Sequence, residues 1–376
     1  MPEPRVALVH HWLVSAGGAE RVLYELHRMY PEAPIYTAAY DKSIFPELKD
    51  ADVRVTWLDK VPFAKTKHQY FPILRAWAFR SINLSKYDLV ISSDAAEAKS
   101  IRKGKDTLHI CYCHTPIRYY WVDYDWYVQH PPFGKLNWLA RIVLKFSLNW
   151  LKKLDFNSAQ KVDVFVANSD NVKGRIKKYY KRDSTVVYPP IEVEKFKLSL
   201  KHDDYYLIVG RQVAYKRLDL AVDAFNELGL KLKVAGVGEE IGKQKERANQ
   251  NIEFLGRVPD EELKRLYAGA KGFIFPTKED FGMVPIEAMA NGTPVVAYGV
   301  GGALEYVEDG KTGVLFPEQT KASLIEAIGR FQMIQFDPVY IRQRAERFSV
   351  AVFRKDFGNL VEDEWSKFEK RRASRV

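Results

Sequence analysis

Short apolar runs rich in β-branched residues recur along the chain, and amphipathic stretches fill the intervals. In the first half, "RVALVHHWL" reads as a buried strand and "GGAERVLYELHRMY" as a helix opened by glycines. "IYTAAY", "VRVTWL", "YDLVISSD", "TLHICYCHT", "VDVFVANSD" and "STVVYPP" follow as further strands. Such alternation predicts parallel βαβ units. The second half restarts the pattern. "YYLIVGRQ", "LKLKVAGVG", "IEFLGRV", "GFIFPT" and "TPVVAY" read as strands, with helices such as "KRLDLAVDAFNEL" and "PDEELKRLYAGA" between them. The break falls in the Pro- and charge-rich stretch 188–204, which has no clear period. The expected fold class is therefore α/β, with two Rossmann-like domains facing a central cleft: residues 1–190, then 191–355. A last helix over 356–376 is expected to pack back on the first domain. Ligands of such sheets bind beyond the carboxyl ends of the strands, so the chemistry belongs in the loops that follow them.

One such loop lies in "KEDFGMVPIEAMANGTPVVA", residues 278–297. After the strand "GFIFPT", the pattern predicts a helix that starts near Met283 and ends at Gly292, with Pro285 in its first turn, where a missing N–H costs nothing. The backbone N–H groups of Gly282, Met283 and Val284 then form a helix N-terminus suited to an anion. Glu279 stands in the loop before it, and Glu287, expected within the helix's first turn, faces the same ligand. A phosphate at the N–H groups, flanked by carboxylates that bind hydroxyls, describes a nucleotide sugar. The spacing alone equally describes a capped, solvent-facing helix with two incidental glutamates. Similar features follow other strands. Arg211 and Lys216 in "VGRQVAYKR" offer a fork and a point charge for a diphosphate. Gly17 and Gly18 in "HHWLVSAGGAERV" permit close approach of backbone to a ligand. "CHTPIRYYW" follows a first-half strand and puts His114 at the cleft.

Together "GGAERV", "CHTP", "VGRQVAYKR", "FLGRV" and the two glutamates of "EDFGMVPIE" resemble the retaining glycosyltransferases of family 4, with the GT-B fold, over nearly the whole chain. "CYCHTPIRYYW" is further similar to GDP-mannose-dependent mannosyltransferases of polysaccharide and glycolipid assembly. The resemblance implies residue roles. Glu279 binds hydroxyls of the donor sugar and Glu287 those of the ribose. Arg211 and Lys216 neutralise the leaving diphosphate, in place of a metal. Phe281, Gly282, Met283 and Val284 hold phosphate and sugar through backbone groups. Gly17 and Gly18 lie by the diphosphate and acceptor, and His114 by the reacting face of the sugar. Arg257, Val258 and Asp260 lie in the segment that holds the base. A carboxylate accepts from the paired donors of guanine's edge, which makes Asp260 the candidate reader; Asp260 also suits a helix N-cap. The expected donor is GDP-mannose, with no cofactor and no metal. A UDP-sugar transferase of the same fold and a GT-B-type nucleotide-sugar epimerase are the alternatives. Two carboxylates also suit a glycosidase, but a hydrolase has no need of an Arg–Lys diphosphate clamp.

Charge adds a partner. The net charge is +10, and all of the excess lies in residues 1–190. A one-sided basic surface suits an anionic partner. No recognised nucleic-acid module accompanies it, so nucleic acid is not expected. The stretch 134–156 reads as a helix with Leu136, Leu139, Val143, Phe146, Trp150 and Leu154 on one stripe. Arg141, Lys145 and Lys152 lie opposite, with Trp138 and Leu148 near them. That mixture suits an anionic lipid interface, and 65–84 has the same flavour; both also suit helices packed on a sheet. A non-catalytic basic membrane-binding module is a third reading of the chain. The expected partners are a nucleotide-sugar donor, a lipid-linked or glycan acceptor and an anionic membrane surface. No apolar run reaches membrane-spanning length, and the N-terminus lacks a signal-peptide pattern. The two cysteines, Cys111 and Cys113, alternate on a strand and cannot easily bridge, and no further Cys or His pair completes a zinc site. A cytoplasmic protein on the cytoplasmic face of the membrane is expected.

Overall fold

The structure, a computed structural model, describes residues 4–67, 71–122 and 137–374, and their side chains except at 67 and 137–146. The chain forms two compact units, residues 1–189 with 353–376, and residues 190–352.

The first unit is built on a seven-stranded parallel sheet. Its strands are β1 (Val6–His10), β2 (Ile35–Thr37), β3 (Val53–Val55), β4 (Leu89–Asp94), β5 (Leu108–Cys113), β6 (Val164–Ala167) and β7 (Thr185–Val186). They lie in the order β3-β2-β1-β4-β5-β6-β7. Strand alternation sends Leu8 to one face and Ala7 and Val9 to the other. Leu8, Ile35, Ile91 and Ile110 meet Val22, Leu23 and Leu26 of the helix Gly18–Met29. The terminal helix Val350–Ala373 adds Phe353, Phe357 and Val361 to this same core. Outside the core, Arg354 donates twice to Glu25 Oε2, at 2.8 and 2.6 Å.

The second unit repeats the plan with β8 (Tyr206–Val209), β9 (Leu232–Ala235), β10 (Ile252–Gly256), β11 (Gly272–Phe275), β12 (Val295–Tyr298) and β13 (Gly313–Phe316). Their order is β10-β9-β8-β11-β12-β13, again parallel. Strand β13 adds to those read from the sequence. It is an edge strand of four residues after a glycine-rich turn, too short to announce itself by period. In each sheet the order reverses once, between β1 and β4 and between β8 and β11. Such reversals open a crevice at the carboxyl ends of the strands.

The expected stripe on the long helix is only partly open to inspection. The helix spans Asn137–Ala159, but Leu136 and the side chains of Trp138, Leu139, Arg141, Val143, Lys145 and Phe146 lie outside the described residues. In the described part the stripe is rotated. Leu148 and Leu151 are buried with Ala76, Ile117 and Tyr120, whereas Trp150 is 42% exposed. The buried face also carries Asp155 and Ser158, so a search for apolar residues alone misses it. Asp155 faces inward because Lys99 does. The Lys99 ammonium lies 2.6 Å from Asp155 and 2.9 Å from Asp94, and all three side chains are buried. Beside them Arg75 pairs with Glu97 at 3.0 Å, also buried. Arg75, in the 65–84 segment, therefore does not face water. Buried charges of this kind are tolerated because each has its partner.

Candidate functional site

In the second unit the loop after β11 is held in place by close backbone contacts. Glu279 bridges Gly301, and the N–H of Gly302 donates to the Glu279 carbonyl at 3.0 Å. A Cβ at Gly302 would stand 2.0 Å from the Phe281 carbonyl oxygen, so only glycine fits. Phe281 is buried against Tyr306 and Phe348. The loop ends at Gly282, whose φ of +88° suits glycine alone and opens the helix Met283–Ala290. That helix stops at Ala290 with Asn291 as its cap, two residues before the expected Gly292, which takes φ +83°.

On this scaffold the Glu279 carboxylate pairs with the Lys216 ammonium. Lys216 ends a short 3-10 turn after β8, and the Thr277 hydroxyl donates to the Tyr215 carbonyl at 3.0 Å, tying that turn to the loop. The two residues given separate tasks by the sequence thus neutralise each other. Arg211 is exposed and makes no side-chain bond among the described residues. Glu287 is only 4% exposed, and its Oε2 accepts from the Tyr267 hydroxyl at 2.9 Å. Met283 and Val284 are half-buried at the helix start. Asp260 is the first residue of the helix Asp260–Gly269, exposed, behind Pro259 as cap residue; it makes no capping bond. Arg257 is exposed and Val258 half-buried just before it.

In the first unit Gly17 caps and Gly18 begins the helix Gly18–Met29, as the sequence suggested. His114 follows β5, half-buried. Its Nε2 lies 2.8 Å from the Ser93 hydroxyl at the end of β4. The same hydroxyl lies 3.1 Å from His10 Nδ1, and His10 Nε2 lies 3.4 Å from Glu20 Oε1. His11 Nδ1 approaches the Ser93 carbonyl at 3.5 Å. Sequence reading took "LVHHWL" only as a strand and missed this cluster. The two histidines beside a helix-opening glutamate were the signal that it held. Burial pushes His10 down to about 3. Burial, then neighbouring histidines, holds His11 and His114 well below the usual imidazole value. Burial raises Glu20, while His11 and the N–H groups of Glu20 and Gly17 favour its charged form.

The donor set bears on metal binding. Ligand atoms of His10, His11 and Glu20 lie within 4.8 Å of one another, a grouping that sequence spacing did not reveal. His10 and Glu20 are already engaged with each other and His10 with Ser93, so the buried set is internally satisfied. Cys111 and Cys113 are free and buried, and no bridge joins them.

Two parallel sheets with ligand loops at their carboxyl ends are the frame of the GT-B glycosyltransferases. Among solved structures, the chain resembles Anabaena Alr3699/HepE in complex with UDP at a TM-score of 0.70 and 18% identity, over 96% of this chain and 100% of that one. The model "Glycosyltransferase Family 4" matches residues 16–195, and "Glycosyl transferases group 1" matches residues 190–347. The two models lie in tandem over residues 16–347, so the chain carries both domains of a family 4-type, GT-B glycosyltransferase. It is 29% identical over 182 residues to an uncharacterized glycosyltransferase of Methanocaldococcus jannaschii, over 46% of this chain and 51% of that protein. It is 35% identical over 159 residues to the glycogen synthase of Thermus thermophilus, over 40% of this chain but 34% of that protein. The alpha-1,3/1,6-mannosyltransferase ALG2 of Dictyostelium discoideum is 24% identical over 440 residues, covering 96% of this chain and 98% of that one. The chain thus spans about half or less of the first two relatives and nearly all of the third.

The histidines make stability depend on acid. His109 is buried like His10 and is likewise pushed down to about 3 by burial. In the unfolded chain each protonates near 6.5. Between those values the unfolded state binds more protons, so stability is full above about pH 6.5 and falls as pH drops. By pH 5 each of the two costs about 2 kcal/mol. Urea denaturation of the protein and of His109→Gln at pH 7 and 5 measures this. The variant should lose about 2 kcal/mol less than the parent; equal losses would contradict a neutral, buried His109.

Proposed function

We propose that this chain is a retaining, metal-independent mannosyltransferase that moves mannose from GDP-mannose onto a lipid-linked or glycan acceptor at a membrane surface. The observation that carries the reading is the Lys216–Glu279 pair beside the helix start at Gly282–Val284. Both side chains are about one-fifth exposed. A pair that keeps contact with water is held less tightly than a wholly buried one, and a charged ligand can replace each partner for the other. On donor binding Lys216 turns to the diphosphate with Arg211, and Glu279 receives hydroxyls of the sugar. The N–H groups at the helix start take the remaining phosphate charge. As the bond from the anomeric carbon to phosphate breaks, negative charge grows on the diphosphate, where these groups stabilise it. The acceptor hydroxyl bonds to the same face of the anomeric carbon, and its proton passes to the departing phosphate oxygen.

Mannose is supported by the "CYCHTP" segment and by the ALG2 mannosyltransferases, which match along most of the chain; guanine is supported by that segment's resemblance and by Asp260. The second reading, a UDP-sugar donor, is favoured by the UDP and UDP-glucose complexes of the structural neighbour.

The site is tested by kinetics and calorimetry on one protein. Glu279→Ala and Lys216→Ala should each lower transfer about 100- to 1,000-fold, and a strong chelator should leave the parent active. Near-normal turnover in both variants, or loss of activity to the chelator, would overturn the site. GDP should bind at least about tenfold more tightly than UDP, roughly 1.4 kcal/mol; equal binding or a preference for UDP would select the second reading.

Membrane attachment rests on the basic first unit and its exposed aromatic rings. Phe63 is 69% exposed and Trp77 55%. No described helix is long and apolar enough to cross a membrane, so contact at the surface is the fitting mode. The double variant Phe63→Ser, Trp77→Ser should no longer sediment with phosphatidylserine vesicles while GDP binding stays intact. Unchanged sedimentation would return these rings to the ordinary surface.

A further inference from the structure

A hydrogen-bond chain runs through the first unit from Glu20 to His114. Its links are Glu20 Oε1 to His10 Nε2 at 3.4 Å, His10 Nδ1 to Ser93 Oγ at 3.1 Å, and Ser93 Oγ to His114 Nε2 at 2.8 Å. His10, Ser93 and Glu20 are buried, so water does not substitute for any link.

The chemistry of the links restricts the chain to one direction at a time. A serine hydroxyl has a single proton, so Ser93 donates to one imidazole and accepts from the other. A neutral imidazole has one N–H and one lone pair, so its two nitrogens take opposite roles. A carboxylate only accepts. With Glu20 ionised, His10 Nε2 must carry the proton and His10 Nδ1 the lone pair. Ser93 then donates to His10 and accepts from the N–H at His114 Nε2. His114 Nδ1 is left with a lone pair, and it has no protein partner among the described residues. Burial keeps both rings neutral, as this assignment requires.

We propose that Glu20 is a positioning residue that acts through His10 and Ser93 to fix His114 in the Nε2–H tautomer, so that His114 Nδ1 meets the ligand as a hydrogen-bond acceptor. The ligand group it would meet is a sugar hydroxyl; this part rests on the transferase reading given under the proposed function. Histidine tautomers set by the partner of the far nitrogen are a general device. What the geometry adds here is a carboxylate three links from the ring that it governs.

The test reads the tautomer directly, by nitrogen-15 NMR of the histidine-labelled full chain. In the parent, His114 should show one tautomer, with Nδ1 unprotonated and Nε2 protonated. Glu20→Gln supplies a side chain that both donates and accepts, which admits both directions of the chain. His10 and His114 should then both shift toward averaged values. Ser93→Ala cuts the chain, so His10 should stay fixed while His114 averages; this variant stands in if Glu20→Gln does not fold. A protonated Nδ1 on His114 in the parent would overturn the proposal. So would a His114 tautomer unmoved by either substitution, which is what a merely structural Glu20 predicts. Calorimetry with GDP-mannose on Ser93→Ala separates the two readings. A loss of affinity accompanying the averaging supports the acceptor role toward sugar. Tautomer changes with unaltered affinity would leave the relay standing and overturn His114 as the residue that meets the donor.

Discussion

In a parallel sheet every strand delivers its carboxyl end to the same edge, and that constraint gathers the chemistry of this chain. It assembles His10, Ser93 and His114 at the ends of three strands of the first unit, although they are far apart in sequence. It brings Lys216 beside Glu279 in the second, across 63 positions. Polar groups collected at such an edge are partly buried and must find partners. The result is a pair of small, self-satisfied networks, each with groups that a ligand can engage.

Two ion-pair clusters hold their charge differently. Lys216 and Glu279 keep some exposure, so their mutual attraction is screened and exchangeable. Lys99, Asp94 and Asp155 are wholly buried, and there removal of one partner would strand a charge. The first arrangement suits a site that opens to a charged ligand; the second fixes a helix to the end of a sheet. Glycines 301 and 302 serve the first by letting one loop lie against another, which fixes the Glu279 backbone.

Much of the fold was legible because buried parallel strands are dense in Val, Ile and Leu, as in "YDLVISSD" and "GFIFPT". The glycine-led turns were legible too, since φ values such as that of Gly282 admit little else. Legibility failed where partners are distant. Lys99 and Asp94, the partners that turn Asp155 inward, lie 56 and 61 positions before it, and Leu148 and Trp150 were assigned to the wrong sides of the same helix. The edge strand Gly313–Phe316 was too brief to show a period. His10 and Glu20 were read as strand and helix because nothing in their spacing reveals Ser93.

The central claim is that a nucleoside diphosphate is held at the β8 and β11 ends by side chains and backbone, without a metal. A crystal structure of the protein grown with GDP-mannose in the presence of chelator tests it most directly. The account predicts the diphosphate against Arg211, Lys216 and the N–H groups of Gly282, Met283 and Val284, with Glu279 released from Lys216 and turned to the sugar. A diphosphate bound elsewhere, or a Lys216–Glu279 pair still closed beside a bound donor, would contradict it.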